Sequence, residues 1–513
     1  MRDVARKILD LFEPSEHWRL AGLLGAMVVT GLFQTVGIAS IMPFLAIVSN
    51  PAAIEENEYL AWGFQTLEFS SGNAYLIALG ILFIVLMVLA NGFNTLTAWL
   101  VLRFQWRTHE RLSHRLLDVY LHASFAYHLN QNSARLGASL LNQVTQVTRG
   151  LIIPASTILS RGISSLFIVA LLVAVDPLLA GVVSLTIGGF YTGVYVLVRK
   201  KQGELGATVL QANTERYQVA NEAFGGIKEM KVLGRKGHFL SRFLKPSIRY
   251  AHANKANAFV GLLPRFVLET FAYGGIVVVI LYLLQTRESL DQIFPLLAVY
   301  AFGANQLIPG VQEIFNAMTV MRLQMATVDE LHADVTGRTM EGVLSTRSVR
   351  ASDRSLTTEK LALHEGESIR VEGLWFRYPF AKQDALKGID LDLPINRTSA
   401  LVGATGSGKT TLVDLLLGLF EPTEGRILAG DRVLDDDLLP AWQNTVGYVP
   451  QSNFLCDASI AENIAFGIPP DRVDSAAVVR AARAAHLHAF VSTLDEGYET
   501  VVGERGIRLW TSV

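Results

Sequence analysis

The sequence of 513 residues contains a single cysteine, Cys456, and few charged residues. One cysteine excludes an intrachain disulfide framework, and it favours a structural thiol in a reducing, cytosolic environment. The formal net charge is −2, so the basic excess that neutralises nucleic-acid phosphates is missing. Charged residues make up 18% of the sequence, against about 25% in soluble domains, and 50% of residues are hydrophobic. This composition predicts a membrane protein without a nucleic-acid partner.

Long apolar runs fill the N-terminal part of the chain, and each is long enough, at about 20 residues, to cross a bilayer. The six runs lie at 20–48, 74–102, 151–175, 178–198, 261–284 and 293–321. Six such runs in succession exceed the core of a soluble protein, and the first is too long for a signal peptide. We therefore predict an all-α transmembrane domain with six spans.

Lysine and arginine are distributed unevenly between these spans. The connector 49–72 contains neither, whereas the connector 103–150 is rich in arginine and the connector 199–258 is rich in both. Positive connectors face the cytosol, so we predict that both termini and both long connectors are cytosolic. The long connectors keep helical periodicity over 107–127 and 206–232, which predicts helices that extend beyond the membrane. The breaks at 124–128 and 222–228 are predicted contact points for the C-terminal domain.

A complete phosphate-binding loop follows the apolar region, with the spacing G-x-x-x-x-G-K-[ST]. Segment 399–402 before it is predicted to be a buried strand, and 411–417 after it a helix. Loop N–H groups and the helix N-terminus can then hold phosphate oxygens. The predicted binding residues are Gly403, Ala404, Thr405, Gly406, Ser407, Gly408, Lys409, Thr410 and Thr411.

Two side chains of the loop have predicted individual roles. Lys409 would reach the β- and γ-phosphates, and the Thr410 hydroxyl would ligate Mg²⁺. The sequence therefore predicts a site for ATP and Mg²⁺ in the C-terminal domain.

With six spans, long cytosolic extensions and a C-terminal phosphate loop, the chain resembles an ABC exporter half-transporter of the type IV fold. The resemblance implies that Tyr378 stacks on adenine, the alternative being a core tyrosine at a strand end. It also implies that Gln451, in Tyr-Val-Pro-Gln, contacts Mg²⁺, and that 499–506 form the loop that signals to the spans. Homodimerisation follows from the same resemblance.

Two stretches sharpen the resemblance within the exporters. Residues 37–44 and 222–229 are similar to lipid-linked oligosaccharide flippases. The predicted domains are a transmembrane domain at 1–322, a linker at 323–366, and an incomplete α/β P-loop nucleotide-binding domain at 367–513. The expected function is ATP-driven flipping or export of an amphipathic substrate in a bacterial-type inner membrane, with export of another lipid or a peptide as the alternative.

The resemblance ends after Leu509. The family continues with a Ser-Gly-Gly-Gln signature, whereas this sequence reads Trp510-Thr511-Ser512-Val513. Also missing from these 513 residues are the family's Mg²⁺-binding aspartate, the glutamate that activates water and the switch histidine. We therefore expect ATP binding with negligible hydrolysis, no catalytic residue being retained, and low stability of the domain alone. A frameshift, a truncated gene prediction and a naturally short, non-catalytic subunit all remain open.

Three charged residues inside the predicted spans point to the substrate path. A central arginine costs about 2.5–3.5 kcal/mol in a membrane, so Arg161 and Arg265 are expected to face protein or a watery cavity. Glu269 is four residues from Arg265, so those two could simply pair along one helix face. The other interpretation is that the arginines meet an anionic, pyrophosphate-linked lipid.

Overall fold

The computed structural model describes residues 16–131, 133–286, 290–336, 360–379, 381–451 and 453–503. The chain divides into two compact units. The first comprises Met1–Ser355, Arg377–Asp384 and Leu419–Glu421. The second comprises Leu356–Phe376, Ala385–Gly418 and Pro422–Val513. The predicted domain boundaries stay predictions.

The regular secondary structure described in the first unit is entirely helical. Its helices are α1 (His17–Ala39), α2 (Ile41–Ser49), α3 (Ala53–Glu56), α4 (Glu58–Thr66), α5 (Gly72–Leu121), α6 (Phe125–Asn130), α7 (Ser133–Ala138), α8 (Val144–Val147), α9 (Ile153–Val175), α10 (Pro177–Gly225), α11 (Ile227–Val232), α12 (Lys236–Thr286) and α13 (Leu290–Val335). Two π-helical segments, Ser139–Gln143 and Thr148–Ile152, separate α7, α8 and α9.

Four helices are far longer than a membrane is thick. Helices α5, α10, α12 and α13 have 50, 49, 51 and 46 residues. At 1.5 Å per residue they measure about 69–77 Å, against about 30 Å of hydrocarbon. The predicted extension of the helices beyond the membrane is thereby confirmed. The break predicted at 222–228 is confirmed, since α10 ends at Gly225 and α11 begins at Ile227. The break predicted at 124–128 lies instead at 122–124, because α6 already begins at Phe125.

Three apolar stretches among the described residues are long enough to span a membrane. They are Trp18–Ser49, Gly72–Leu121 and Arg135–Val175, and they contain the first three predicted spans. The other three predicted spans fall within α10, α12 and α13, where many side chains lie outside the described residues.

The first predicted span is two helices rather than one. Helix α1 ends at Ala39 and α2 begins at Ile41, with Pro43 in the first turn of α2. Proline lacks a backbone N–H and its ring clashes with the carbonyl four residues earlier, so it interrupts a continuous helix.

A buried cluster joins the C-terminal ends of α5 and α13. Leu116, Val144 and Leu331 are fully buried at its centre. Beside them, the Tyr120 hydroxyl donates a 2.8 Å hydrogen bond to Asp334 Oδ2, and both residues are buried. A buried carboxylate is stabilised by such a charge-assisted bond. Helix α13 therefore stays ordered against α5 as far as Val335, within the predicted linker region.

The second unit contains a four-stranded antiparallel sheet in the order β2-β1-β3-β4. The strands are β1 (Ser368–Phe376), β2 (Leu386–Pro394), β3 (Glu424–Ala429) and β4 (Arg432–Val433). The central strand β1 buries Val371, Leu374 and Phe376.

Five short helices accompany this sheet: α14 (Lys409–Leu416), α15 (Leu439–Gln443), α16 (Ile460–Ile464), α17 (Ser475–Ala484) and α18 (His488–Val491). Helix α14 confirms the helix predicted after the phosphate loop. Helix α16 begins with a complete capping box, in which Ser459 and Glu462 each bond the other's backbone N–H. The lone thiol, Cys456, lies in the coil before α16 and is partly buried.

The buried strand predicted at 399–402 is wrong. These residues form exposed coil, with the Val402 side chain 93% exposed. A strand needs hydrogen-bonded neighbours and a covered apolar face. Among the described residues, the four-stranded sheet does not include this segment.

Candidate nucleotide-binding site

The phosphate loop turns into α14 through a glycine that no other residue could replace without strain. Gly408 is the N-cap of α14 and has φ 91°, in the left-handed region. A Cβ atom there would lie 2.6 Å from Leu386 Cδ2 and 3.1 Å from the Ala385 carbonyl oxygen. Only glycine tolerates both the backbone conformation and this close approach.

The loop is drawn together by Lys409. Its Nζ donates 2.8 Å hydrogen bonds to the carbonyl oxygens of Gly403 and Ala404, and a 3.4 Å bond to Ser407 Oγ. The Ser407 N–H donates to the Ala404 carbonyl at 3.2 Å, closing a turn. Four of the predicted phosphate-binding residues therefore lie together, with the ammonium group at their centre.

The other loop residues are accessible, with one exception. Thr405, Gly406 and Thr410 are exposed, which leaves the Thr410 hydroxyl free for a metal ligand role. Thr411 is 7% exposed, so its predicted phosphate contact would rest on its backbone. No cluster of three His, Cys, Asp or Glu side chains occurs in the part of the chain that the structure describes. These residues fit Mg²⁺ held through Thr410 and nucleotide phosphates, as Mg²⁺ usually is.

Helix α14 carries a carboxylate that sequence reasoning missed. Partial burial raises the pKa of Asp414 above its ordinary value of 3.8, because desolvation disfavours the charged form. Asp414 lies one helical turn after Thr410, and that spacing was the available signal.

Tyr378 and Gln451, the two predicted contacts outside the loop, lie in coil. The Tyr378 ring packs edge-on against Phe420, with centroids 5.5 Å apart. Phe420 also contacts Phe125 of α6, at 5.5 Å. An ion pair of 2.8 Å between Arg377 and Asp384 joins the two ends of the segment that contains Tyr378.

Gln451 is exposed in the coil after α15. Phe420 was not predictable from the sequence, because only proximity in the fold places it beside Tyr378.

A charged pair connects two predicted spans. Arg161 of α9 donates from Nε to Glu313 Oε2 at 2.6 Å, and from Nη2 to Glu313 Oε1 at 3.2 Å. The side chains are 28% and 44% exposed. This bidentate pairing agrees with the expectation that Arg161 faces protein or a watery cavity, and its place in the substrate path stays a prediction. Glu313 of α13 is a partner that could not be predicted from the sequence. The side chains of Arg265 and Glu269 lie outside the described residues.

The structure describes residues 499–503 of the segment 499–506 that was predicted to signal to the spans. Val501 forms an isolated antiparallel bridge with Ser459, and Val502 is buried beside Ile460 and Val491. The remaining residues of that segment, 504–506, lie outside the described residues.

Two family descriptions match the chain. The ABC transporter transmembrane region matches residues 21–304, and the ABC transporter family matches residues 386–507. A bacterial Atm1-family ABC exporter with ATP bound has a similar structure, with a TM-score of 0.70 and 18% sequence identity. That similarity covers 97% of this chain and 82% of the exporter chain.

Curated relatives include several bacterial flippases. The ATP-dependent lipid A-core flippase of Cupriavidus pinatubonensis is 28% identical over 407 residues, 77% of this chain and 65% of the relative. The protein of the same name from Nitrosococcus oceani is 27% identical over 434 residues, 84% of this chain and 69% of the relative. The chain thus spans about two thirds of the length of these relatives.

Proposed function

The chain belongs to the ABC transporter family, as a membrane-integral exporter, and we propose that its nucleotide site and membrane helices serve ATP-linked translocation of a glycolipid. The observation that carries this proposal is the phosphate loop. There Gly408 at φ 91° opens α14, and the Lys409 ammonium group lies 2.8 Å from two loop carbonyls.

In this proposal each residue of the site has a definite role. Residues 403–411 hold the phosphates. The positive Lys409 ammonium group offsets the negative charge of the phosphates, and N–H groups at the start of α14 donate hydrogen bonds to them. Thr410 and Gln451 hold Mg²⁺, and Tyr378 stacks on adenine. Bound ATP and Mg²⁺ would neutralise the positive end of α14 and order the exposed loop.

The proposed substrate is a lipid-linked oligosaccharide. The similarity of residues 37–44 and 222–229 to flippases of that class supports it, as do the charged groups within the spans. A lipid A-core molecule is the second candidate, because relatives covering most of this chain carry that name. Both substrates are amphipathic glycolipids, so they share the transport problem of moving a polar headgroup through hydrocarbon.

The proposed setting is a homodimer in a bacterial-type inner membrane with cytosolic termini. The charge asymmetry of the connectors supports this orientation. The proposed division is 1–322 for the membrane domain, 323–366 for the linker and 367–513 for nucleotide binding.

For the polypeptide of residues 1–513, we propose binding of ATP without appreciable hydrolysis. Phosphoryl transfer depends on groups placed around the γ-phosphate and an attacking water. The loop supplies the phosphate grip, and none of the residues to which the proposal assigns a role acts as a base.

Nucleotide binding tests this proposal most directly. Fluorescent ATP should bind the purified chain in the presence of Mg²⁺ and be displaced by unlabelled ATP. Lys409→Ala should abolish saturable binding, because it removes the charge that faces the phosphates. Lys382→Ala, outside the loop, is the matched control and should bind normally. Unchanged binding by Lys409→Ala would overturn the assigned site.

The substrate is tested separately. Native mass spectrometry of the purified chain with equimolar lipid-linked oligosaccharide and lipid A-core should show preferential retention of the former. Preferential retention of lipid A-core would favour the second candidate. An ATPase assay on the same preparation should show no Mg²⁺-dependent turnover, and turnover would refute the non-hydrolysing state.

A further inference from the structure

A cavity of about 150 Å³ lies in the first unit, between the segment containing α7 and α8 and one face of α10. It is separate from the phosphate loop, and its residues lie outside the predicted membrane spans. Five of its lining residues are carboxamides: Asn142, Gln143, Gln146, Asn213 and Gln218.

Most residues that line the cavity are polar, but most of the surface they expose to it is apolar, and the cavity carries little charge. No carboxylate lines it, and its one charged residue is Arg135. That guanidinium is already engaged, donating to Glu330 Oε1 at 3.1 Å and to Gln131 Oε1 at 3.0 Å. An anionic ligand would therefore find no free positive charge among the lining residues. Carboxamides both donate and accept hydrogen bonds, which suits a ligand that does the same.

Gln143 provides a second observation that points to a ligand. It is 7% exposed, and its Nε2 donates to Glu330 Oε2 at 3.2 Å. Its Oε1 has no hydrogen-bond partner among the described residues. Buried polar atoms are normally satisfied, so an unpaired amide oxygen at a cavity wall calls for a donor from outside the chain. Gln143 also ends a π-helical segment, Ser139–Gln143, a rare geometry that is frequent at functional sites.

Tyr217 adds an aromatic surface at the rim. Its ring is 37% exposed, and its hydroxyl accepts a hydrogen bond from Asn142 Nδ2, which holds the ring in place. An aromatic ring offers an apolar face beside polar groups. Sugars present the same combination, because their hydroxyls lie around the ring and their C–H groups cover its faces.

We propose that this cavity binds one neutral monosaccharide unit. A cavity of about 150 Å³ can hold one six-membered ring such as benzene, so a single sugar ring matches its size. Binding of a sugar in this cavity is argued from the cavity residues alone. The identification of that sugar as part of a glycolipid headgroup rests on the proposed function. The unpaired Gln143 oxygen would accept from a sugar hydroxyl, and Tyr217 would cover a ring face.

The test is saturation-transfer NMR on the full chain in phosphatidylcholine nanodiscs, since maltoside detergents would themselves supply sugar. The probes are methyl β-glucopyranoside and N-acetylglucosamine, with glutamate and inorganic phosphate as anionic comparisons. We expect saturable transfer to at least one of the two sugars and none to the anions. Absence of saturable transfer to either sugar would mean a water-filled cavity, and stronger transfer to an anion would mean a different ligand; either result overturns the proposal.

Variants locate the binding. Gln146→Ala and Tyr217→Ala should each weaken sugar binding about tenfold, which corresponds to 1.4 kcal/mol. Tyr217→Phe keeps the ring and should retain most of the affinity. Gln211→Ala is the matched control, because that amide on α10 bonds Glu215 instead of lining the cavity. Equal sugar affinity in Gln146→Ala, Tyr217→Ala and Gln211→Ala would overturn the location.

The nucleotide site gives an independent control. Lys409→Ala should lose ATP binding but keep sugar binding, whereas Tyr217→Ala should do the reverse. Failure of the sugar proposal is thereby distinguishable from failure of the proposed function.

Discussion

At the scale of single residues, Gly408 determines whether the phosphate loop can form. Its φ of 91° and the 2.6 Å approach to Leu386 leave no room for a Cβ atom. Gly408→Ala should therefore destabilise the second unit by about 1–3 kcal/mol and weaken ATP binding in parallel. Thermal unfolding and fluorescent-ATP titration of the same purified variant measure both effects.

Gly447→Ala provides the comparison for Gly408→Ala. Gly447 lies in the same unit, and a Cβ atom there would meet nothing within 4 Å. Its unfolding temperature and ATP affinity should match those of the unmodified chain. Normal ATP affinity in Gly408→Ala would contradict the assigned backbone requirement.

Asp414 carries a charge that the folded state disfavours. Its pKa is raised by burial, so the folded chain binds a proton more readily than the unfolded chain. The charge therefore lowers stability as pH rises through the interval between the ordinary value of 3.8 and the raised folded value. Asp414→Asn should be more stable than the unmodified chain above that interval and equal to it below.

Thermal unfolding of Asp414→Asn and the unmodified chain between acidic and neutral pH measures this difference. Asp471→Asn, on the exposed 3₁₀ turn Pro470–Arg472, should show no comparable gain at neutral pH. A gain for Asp414→Asn that stays constant with pH would point to packing rather than to ionisation.

The residues of the phosphate loop were predictable because their chemistry depends on local spacing. Gly408, Lys409 and Thr410 follow one another, so the motif alone predicts the turn and the following helix. Phe420 and Glu313 were missed because they act through contacts distant in sequence. Glu313 is 152 residues from Arg161, and no local pattern records that pairing.

At the scale of elements, the pair of Arg161 and Glu313 couples α9 to α13. A charge-assisted hydrogen bond contributes about 1–3 kcal/mol, and an unpaired partner adds its own desolvation cost. Arg161→Met should therefore lower the unfolding temperature, as should Glu313→Leu. The double variant should recover much of the loss, because it leaves no unpaired charge.

A double-mutant cycle in nanodiscs measures this coupling. The exposed pair of Lys201 and Glu204, 3.7 Å apart on α10, supplies the comparison and should show almost no coupling. Additive losses for Arg161 and Glu313 would show that the two side chains act independently.

Long helices were predicted well, whereas short strands were not. Helices α5 and α10 have a strong and repeated apolar signal, and their polar extensions keep the same period. Segment 399–402 is apolar for only a few residues, so whether it forms a strand depends on hydrogen bonds to neighbouring strands. The division of the first span at Ser40 was not predicted, because the apolar run is uniform in hydropathy on both sides of it. Pro43 was the one local signal of that division.

At the scale of the whole molecule, charge asymmetry predicts orientation in the membrane. The connector 49–72 lacks lysine and arginine, whereas the connector 199–258 is rich in both. Two exposed aromatic side chains report on these connectors: Trp62 is 68% exposed and Phe224 is 73% exposed. Under the positive-inside rule the first lies outside the cell membrane and the second lies in the cytosol.

The single native cysteine makes this orientation measurable. In a Cys456→Ser background, Trp62→Cys should react with a membrane-impermeant maleimide in intact spheroplasts. Phe224→Cys should react only after permeabilisation, because the bilayer separates it from the reagent. Equal labelling of both variants after permeabilisation is the control for accessibility. Labelling of Phe224→Cys in intact spheroplasts would place the basic connector outside. The phosphate loop, on the same predicted side as that connector, would then have no access to cytosolic ATP.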